Sequence, residues 1–351
     1  MTDAADEPAR LRESPEPLTE RYDCAMLDLD GVVYLGPSTI PDVPQLLQRA
    51  RNADMTLAFL TNNAARTPEA VARQLRDLGV AAAAGDVVTS AQAAARELVH
   101  LVGAGAAVLV VGGDGLTAAL SEVGLRPVTS AAERPAAVVQ GFHPDVGWRQ
   151  LAQASYLVAS GVPWVATNLD ITVPTAGGIA PGNGTLVGAV AAAAGRRPDV
   201  VAGKPYRPLF DETVRRTGAR RPLMVGDRLD TDIEGATRCG ADSLLVMTGV
   251  TDVAALCAAQ GGQRPSYVSW TLSGLLTSHE APSLQGRSWQ LGGWSVTVSK
   301  AAVAVEIAGA DRDAGLRAVV AAAWEWYDDR GPTSAEGPLD LAAAVEALQV
   351  H

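Results

Sequence analysis

The sequence predicts an α/β protein with a Rossmann-like core, an α/β segment inserted into that core, and a small α+β appendage at the C-terminal end. Three observations carry this. Short apolar runs of strand length alternate with longer helix-like stretches from Cys24 to Trp270, the rhythm of parallel sheets covered by helices. Several of those runs end in polar residues, and ligands gather at the carboxyl ends of strands in such sheets. Beyond Pro282 the texture changes: four of the seven tryptophans fall there, and apolar residues alternate with period two.

Composition narrows the function classes. The chain has 351 residues and is 48% hydrophobic, enough for two or three domains with real cores. Its net charge of −11 and pI near 4.9 argue against a general nucleic-acid binder. Three cysteines without metal-ligand spacing, Cys24, Cys239 and Cys257, suit reduced thiols in a cytoplasmic protein. No run of about 20 apolar residues is present, so no spanning helix is expected.

Taken in order, residues 1–20 are polar and acidic and read as a flexible leader. Cys24-Ala25-Met26-Leu27 is a buried strand that stops at Asp28-Leu29-Asp30-Gly31. A helix follows from Val43 to Asp54, then the strand Leu57–Leu60 ending in Thr61-Asn62-Asn63. Thr67-Pro68 opens a helix, as N-cap and first helical residue. Val87–Thr89 is a strand and Ser90 caps the helix after it.

Gly103 to Gly105 mark a hinge, and residues 103–198 repeat the strand–helix rhythm as a self-contained insert or cap. The glycine-rich stretch 177–184 has neither dinucleotide nor P-loop spacing and reads as a tight turn into a helix. The core then resumes over 199–281. Val200–Ala202 ends in Gly203-Lys204, Leu223–Val225 ends in Gly226-Asp227, and Asp230 and Asp232 follow closely. Residues 282–351 form an appended module with a β-pair, 295–299 and 303–307, and helices over 311–329 and 339–348. It is expected to be separable and dispensable for chemistry. At about 70 residues it gains little stability alone, so docking or a homo-oligomer is anticipated.

If one parallel sheet forms, four strand ends bring together Asp28 with Asp30, Thr61 with Asn62, Lys204, and Asp227 with Asp232. Alone, Asp-x-Asp-Gly is equally a solvated turn, and an EF-hand is excluded because Val32 and Thr39 occupy loop positions 5 and 12. Together the residue types suit phosphoryl transfer. One carboxylate attacks phosphorus while a second moves protons, a hydroxyl and a lysine hold phosphoryl oxygens, and carboxylates hold a hard divalent cation.

The order Asp28-Leu29-Asp30-Gly31, Leu60-Thr61-Asn62-Asn63, Gly203-Lys204-Pro205 and Gly226-Asp227-Arg228-Leu229-Asp230-Thr231-Asp232 resembles the four motifs of the haloacid dehalogenase superfamily. More narrowly it is similar to the phosphoglycolate and p-nitrophenyl phosphatase branch, whose large C2-type cap lies between the second and third motifs. The resemblance covers residues 21–280. It implies a Mg²⁺-dependent phosphomonoester hydrolase working through an aspartyl-phosphate on a small phosphorylated metabolite. Asp28 is then the nucleophile and Asp30 the acid–base. Thr61, Asn62, Asn63 and Lys204 bind phosphate, and Asp28, Asp30, Asp227 and, in the outer shell, Asp232 serve the metal. Asn168 and Asp170 in the Ala166–Asp170 segment resemble cap residues of that branch. Glycerol 3-phosphate or 2-phosphoglycolate is the expected substrate, with pyridoxal phosphate or a sugar phosphate as alternatives. A phosphomutase is disfavoured by the cap's position, and a non-catalytic sensor by the intact motifs. No nucleic acid or membrane partner is expected. The tail resembles part of an acyltransferase-like fold but lacks a glycine loop for a coenzyme A pyrophosphate, so no activity attaches to it.

Overall fold

The computed structural model describes residues 10–175, 177–309, 311–331 and 337–350. The chain divides into two compact units, residues 1–57 with 219–351, and residues 58–218.

In the first unit the strands Cys24–Leu27, Pro222–Gly226, Asp242–Val246 and Tyr267–Ser269 lie side by side in that order, all parallel. Apart from the opening residues of the middle two they are buried, as strands covered on both faces must be. The ladder runs on past the first strand, where the Asp28 N–H donates to the Val225 carbonyl (2.9 Å). That bond fixes the backbone of the expected nucleophile at the strand's carboxyl end.

Residues 1–9 of the expected leader lie outside the described residues. The remainder is packed: Leu18 is fully buried, and Ser14 exchanges two backbone hydrogen bonds with His279 (2.8 and 2.7 Å). One apolar side chain and a two-bond bridge hold a segment whose polar composition suggested freedom.

The tail is larger in β-structure than expected. Ser283–Gln285, Ser288–Leu291, Trp294–Ser299 and Ala302–Ile307 form an antiparallel meander, followed by the helices Arg312–Arg330 and Ala342–Val350. The last two strands are the expected pair. The first two are short, and Ser283–Gln285 is exposed along its length, so they carry little periodic signal. Nor does the tail keep a core to itself. Trp294, Val296, Val319, Val320 and Trp324 share one apolar cluster with Ile233, Leu245, Val253, Leu256 and Val268. The Trp324 Nε1–H donates to the Leu256 carbonyl (3.0 Å), Asp313 accepts from Ser269 and the Trp270 N–H, and buried Arg264 pairs with Asp328 (2.6 Å).

In the second unit, residues Phe59, Leu60 and Thr61 of the strand Thr56–Thr61 pair in parallel with Val87–Thr89. Thr67 caps the helix Pro68–Asp77 as expected. At the next helix, Ser90–Val102, the cap is Thr89 rather than Ser90. Its side chain accepts from the Gln92 N–H and the Gln92 carboxamide accepts in return, a capping box that leaves the Ser90 hydroxyl for another partner.

A second parallel sheet has the order Val200–Val201, Trp164–Ala166, Ala137–Gln140, Ala107–Val111, Arg126–Val128. Val200–Val201 was expected in the core sheet but pairs with Trp164–Ala166. Two half-buried residues cannot fill a central strand, and the Ala202 N–H is already taken by the Ala166 carbonyl. The glycine-rich stretch is the return arm, Gly178–Pro181, of a hairpin with Thr172–Thr175, followed by the helix Asn183–Ala194. Gly182 and Gly184 serve close backbone approach: a Cβ on Gly184 would stand 2.2 Å from the Leu169 carbonyl oxygen.

Two predictions follow from the first unit. Trp324→Ala is predicted to cost about 3–5 kcal/mol in chemical denaturation, through a lost ring and an unpaired Leu256 carbonyl. A loss below about 1 kcal/mol would show that the tail is not integral. His279 supplies a pH dependence. Burial pushes its pKa below the ordinary 6.5, opposed by the hydrogen bond to the Gly274 carbonyl and reinforced by Arg317. The unfolded ring protonates as pH falls through about 6.5 while the folded ring resists, so this contribution is present above that value and lost below it. His279→Gln should therefore flatten the fall of the melting midpoint between about pH 7 and pH 5.

Candidate active site

Three carboxylates converge in the first unit. Asp28, Asp227 and Asp232 each offer an oxygen within 4.8 Å of the others, and Asp227 and Asp232 are 1% and 0% exposed. Each is positioned by its neighbours. Asp28 follows its strand by one residue. Asp227 follows the strand Pro222–Gly226, and its Oδ2 accepts from the Val250 N–H (2.6 Å). Asp232 lies in a π-helical turn, Leu229–Ile233, and its Oδ2 accepts from the Arg228 N–H (3.1 Å). Such turns are rare and recur at functional sites.

Glycines make the space. A Cβ on Gly249 would stand 2.0 Å from the Asp227 Oδ2, and one on Gly226 2.2 Å from the Asp232 Cβ. Gly31 would meet Asp227 at 2.4 Å and has φ +85, so no L side chain fits there on either count. This all-oxygen donor set in a tight cradle fits a hard divalent cation. Asp30, expected among the metal residues, stands outside the three-carboxylate group, and its side chain is exposed. Asp30 bridges Tyr34, the Gly31 N–H donates to the Tyr34 carbonyl, and Thr248 Oγ1 donates to the Gly31 carbonyl (2.5 Å), which together hold the loop beyond Asp28.

A second cluster forms in the other unit. Thr61 is buried at its strand end and its Oγ1 accepts from the Asn63 N–H (3.1 Å). Asn63 is exposed, and its Oδ1 accepts from the Ala65 N–H. The Asn62 Oδ1 accepts from the Lys204 N–H (2.8 Å), and its Nδ2 donates to the Lys204 carbonyl (3.1 Å) and to Asp170 (3.3 Å). Lys204 is 3% exposed. Asn168, also buried, donates to the Asn62 carbonyl (2.7 Å), which Ser90 Oγ also reaches (2.7 Å). Thus Thr61, Asn62, Asn63, Asn168, Asp170 and Lys204 are brought together, and Lys204 arrives from the second sheet.

Sequence reasoning missed Thr248, Gly249 and Val250, which close over Gly31 and Asp227. Their signal was available: Thr-Gly follows directly on the strand run 243–247, at the same edge as the acids. It also placed Asp232 in the outer shell of the metal, whereas one of its oxygens lies within 4.8 Å of oxygens of Asp28 and Asp227.

Comparison with known proteins gives a consistent picture. Residues 25–126 match the family described as haloacid dehalogenase-like hydrolase, and residues 201–275 match a second pattern of HAD-like hydrolases. The chain is 41% identical to the D-glycerol 3-phosphate phosphatase of Mycobacterium tuberculosis, over 88% of this chain and 87% of that protein. A crystal structure of glycerol phosphate phosphatase from M. tuberculosis with magnesium superposes with TM-score 0.81 at 40% identity, covering 89% of this chain and 93% of that one. The p-nitrophenyl phosphatase of Archaeoglobus fulgidus gives TM-score 0.67 at 27% identity, covering 73% of this chain and 98% of that one.

The cradle generates a test independent of turnover. Gly249→Ala pushes a methyl group onto the Asp227 carboxylate, and Mg²⁺ affinity measured by calorimetry should fall about 10–100-fold. Unchanged affinity would show that Asp227 does not hold the ion.

Proposed function

We propose, from the premise that this chain belongs to the haloacid dehalogenase-like hydrolases and is a phosphatase of small phosphate esters, that glycerol 3-phosphate is its substrate and Mg²⁺ its metal. The observation that carries the substrate is the extent of the likeness. Coverage of 88% cannot be reached without residues beyond 281, so the correspondence with the D-glycerol 3-phosphate phosphatase extends into the tail. The p-nitrophenyl phosphatase corresponds to a smaller share of the chain.

In this reading Asp28 attacks phosphorus and forms an aspartyl-phosphate, while Asp30 gives a proton to the departing alkoxide oxygen. Asp30 then takes a proton from the water that attacks the aspartyl-phosphate, which frees phosphate and restores Asp28. The Thr61 hydroxyl and neighbouring backbone amides hold the phosphoryl oxygens, and Lys204 balances their charge. Mg²⁺ held by Asp28, Asp227 and Asp232 removes the repulsion between an anionic nucleophile and an anionic ester. Residues 103–198 act as the cap that selects the substrate, and residues 21–102 with 199–281 as the core. No helix among the described residues is long and apolar enough to cross a membrane. The reading places the enzyme in the cytoplasm, without nucleic-acid or membrane partners, with a homo-oligomer as the assembly to test.

The test is phosphate release from glycerol 3-phosphate, 2-phosphoglycolate and pyridoxal 5′-phosphate with Mg²⁺ present. Glycerol 3-phosphate should give the highest kcat/KM, by about tenfold or more, and chelation should stop turnover. Asp28→Asn should remove turnover while leaving the fold intact, and Asp30→Asn should slow it by about 10²–10⁴-fold. A preference for 2-phosphoglycolate would overturn the substrate, and turnover by Asp28→Asn would overturn the covalent route.

A further inference from the structure

We propose that Asn62 is a positioning residue: its carboxamide fixes the Lys204 peptide and couples it to Asp170. This rests on Lys204 serving the phosphate, as proposed above. The sequence placed Asn62 among the phosphate ligands, but its side chain is committed elsewhere. A carboxamide offers two N–H donors and one acceptor oxygen. Here the oxygen accepts from the Lys204 N–H at 2.8 Å, while Nδ2 donates to the Lys204 carbonyl at 3.1 Å and to the Asp170 carboxylate at 3.3 Å. Both Nδ2 hydrogens are therefore spent. The Lys204 peptide, a donor on one side and an acceptor on the other, fixes which end of the carboxamide is which.

The backbone of Asn62 is held as firmly. Its carbonyl accepts from Ser90 Oγ and Asn168 Nδ2, both at 2.7 Å. The approach of the lysine segment is close enough to require glycine, since a Cβ on Gly203 would stand 2.5 Å from the Asn62 Oδ1 and 2.6 Å from the Thr167 carbonyl oxygen. Asn168 is tied onward, its carbonyl accepting from Asn183 Nδ2 (2.8 Å) and its Oδ1 accepting from the Asp170 N–H (3.1 Å). One side chain thus joins three segments: the strand end at Thr61, the stretch Thr167–Asp170, and Gly203-Lys204. A lysine on four methylenes is a poor locator of charge unless its backbone is immobile, and small misplacements of a charge cost heavily in a phosphoryl-transfer site.

The experiment uses the full chain with Mg²⁺, p-nitrophenyl phosphate as the reporting substrate and inorganic phosphate as the competing ligand. Asn62→Asp keeps the acceptor for the Lys204 N–H, removes the donor to its carbonyl and faces Asp170 with a second carboxylate. KM and the inhibition constant of phosphate should each rise about tenfold or more, with kcat falling less and the melting midpoint moving by under about 5 °C. Adding Asp170→Asn removes the repulsion and restores a donor–acceptor pair between the two side chains, but not the donor to the Lys204 carbonyl, and should tighten the phosphate constant about threefold or more relative to Asn62→Asp alone. Asn62→Asp within about twofold of the parent, or no recovery in the double variant, overturns the proposal. So does loss of affinity that only tracks a lowered melting midpoint. If Asn62→Asp alone fails to fold, the double variant decides against Asp170→Asn alone: tighter phosphate binding in the double supports the coupling and weaker binding overturns it. Lys204→Ala separates the premise from the inference. Unchanged phosphate affinity in that variant removes Lys204 from the phosphate. Lost affinity there with unchanged Asn62→Asp removes only the role given to Asn62.

Discussion

The constraint on which this molecule turns is the burial of like charge. Asp227 and Asp232 are almost wholly out of water, and with Asp28 they lie within 4.8 Å of one another. Two unit charges at that separation repel by roughly 3 kcal/mol at an effective dielectric near 20, and desolvation adds to the cost. Hydrogen bonds from the Val250 and Arg228 amides offset part of this, and a divalent cation offsets the rest. The surrounding backbone is shaped to the same end. Gly31, Gly226 and Gly249 leave room where any side chain would strike a carboxylate. The π-helical turn moves Asp232 off the register an ordinary helix would give it and into the group. Local stability is given up at each of these positions so that charge can be concentrated.

Much of this could be read before any coordinates. Asp28 and Asp227 each end a buried apolar run, and period and composition alone place such residues at the carboxyl edge of a parallel sheet. Thr61 was legible for the same reason, since it directly follows the buried apolar run Leu57–Leu60. Lys204 was legible as chemistry but not as topology. Val200–Val201 is too short to declare its partner, and it joined the second sheet. Asp30, expected among the metal residues, stands outside the three carboxylates that converge. Thr248 to Val250 were passed over because a loop that donates amide hydrogens has no periodicity, although Thr-Gly directly after a strand run was a usable signal. Asn62 shows a subtler limit. It was singled out as a phosphate ligand, and only the three-dimensional structure reveals that both ends of its carboxamide are taken.

The tail was expected to dock or self-associate because of its small size. Trp294 and Trp324 complete a cluster begun by Leu245, Leu256 and Val268. Buried Arg264, stacked 4.9 Å from the Trp324 ring and paired with Asp328, closes that boundary. A small segment cannot bury enough apolar surface alone, and sharing a core resolves the shortage for both partners.

That shared core has a consequence during synthesis. The apolar residues of the strands ending at Val246 and Ser269 leave the ribosome well before the helix Arg312–Arg330 that covers them. Some 60 residues separate Val268 from Tyr327, an interval of about 3–12 s at ordinary translation rates of 5–20 residues per second. For that time the nascent chain carries an uncovered greasy face beside a sheet already able to form. Most of the first unit is therefore made before the helix that completes its core.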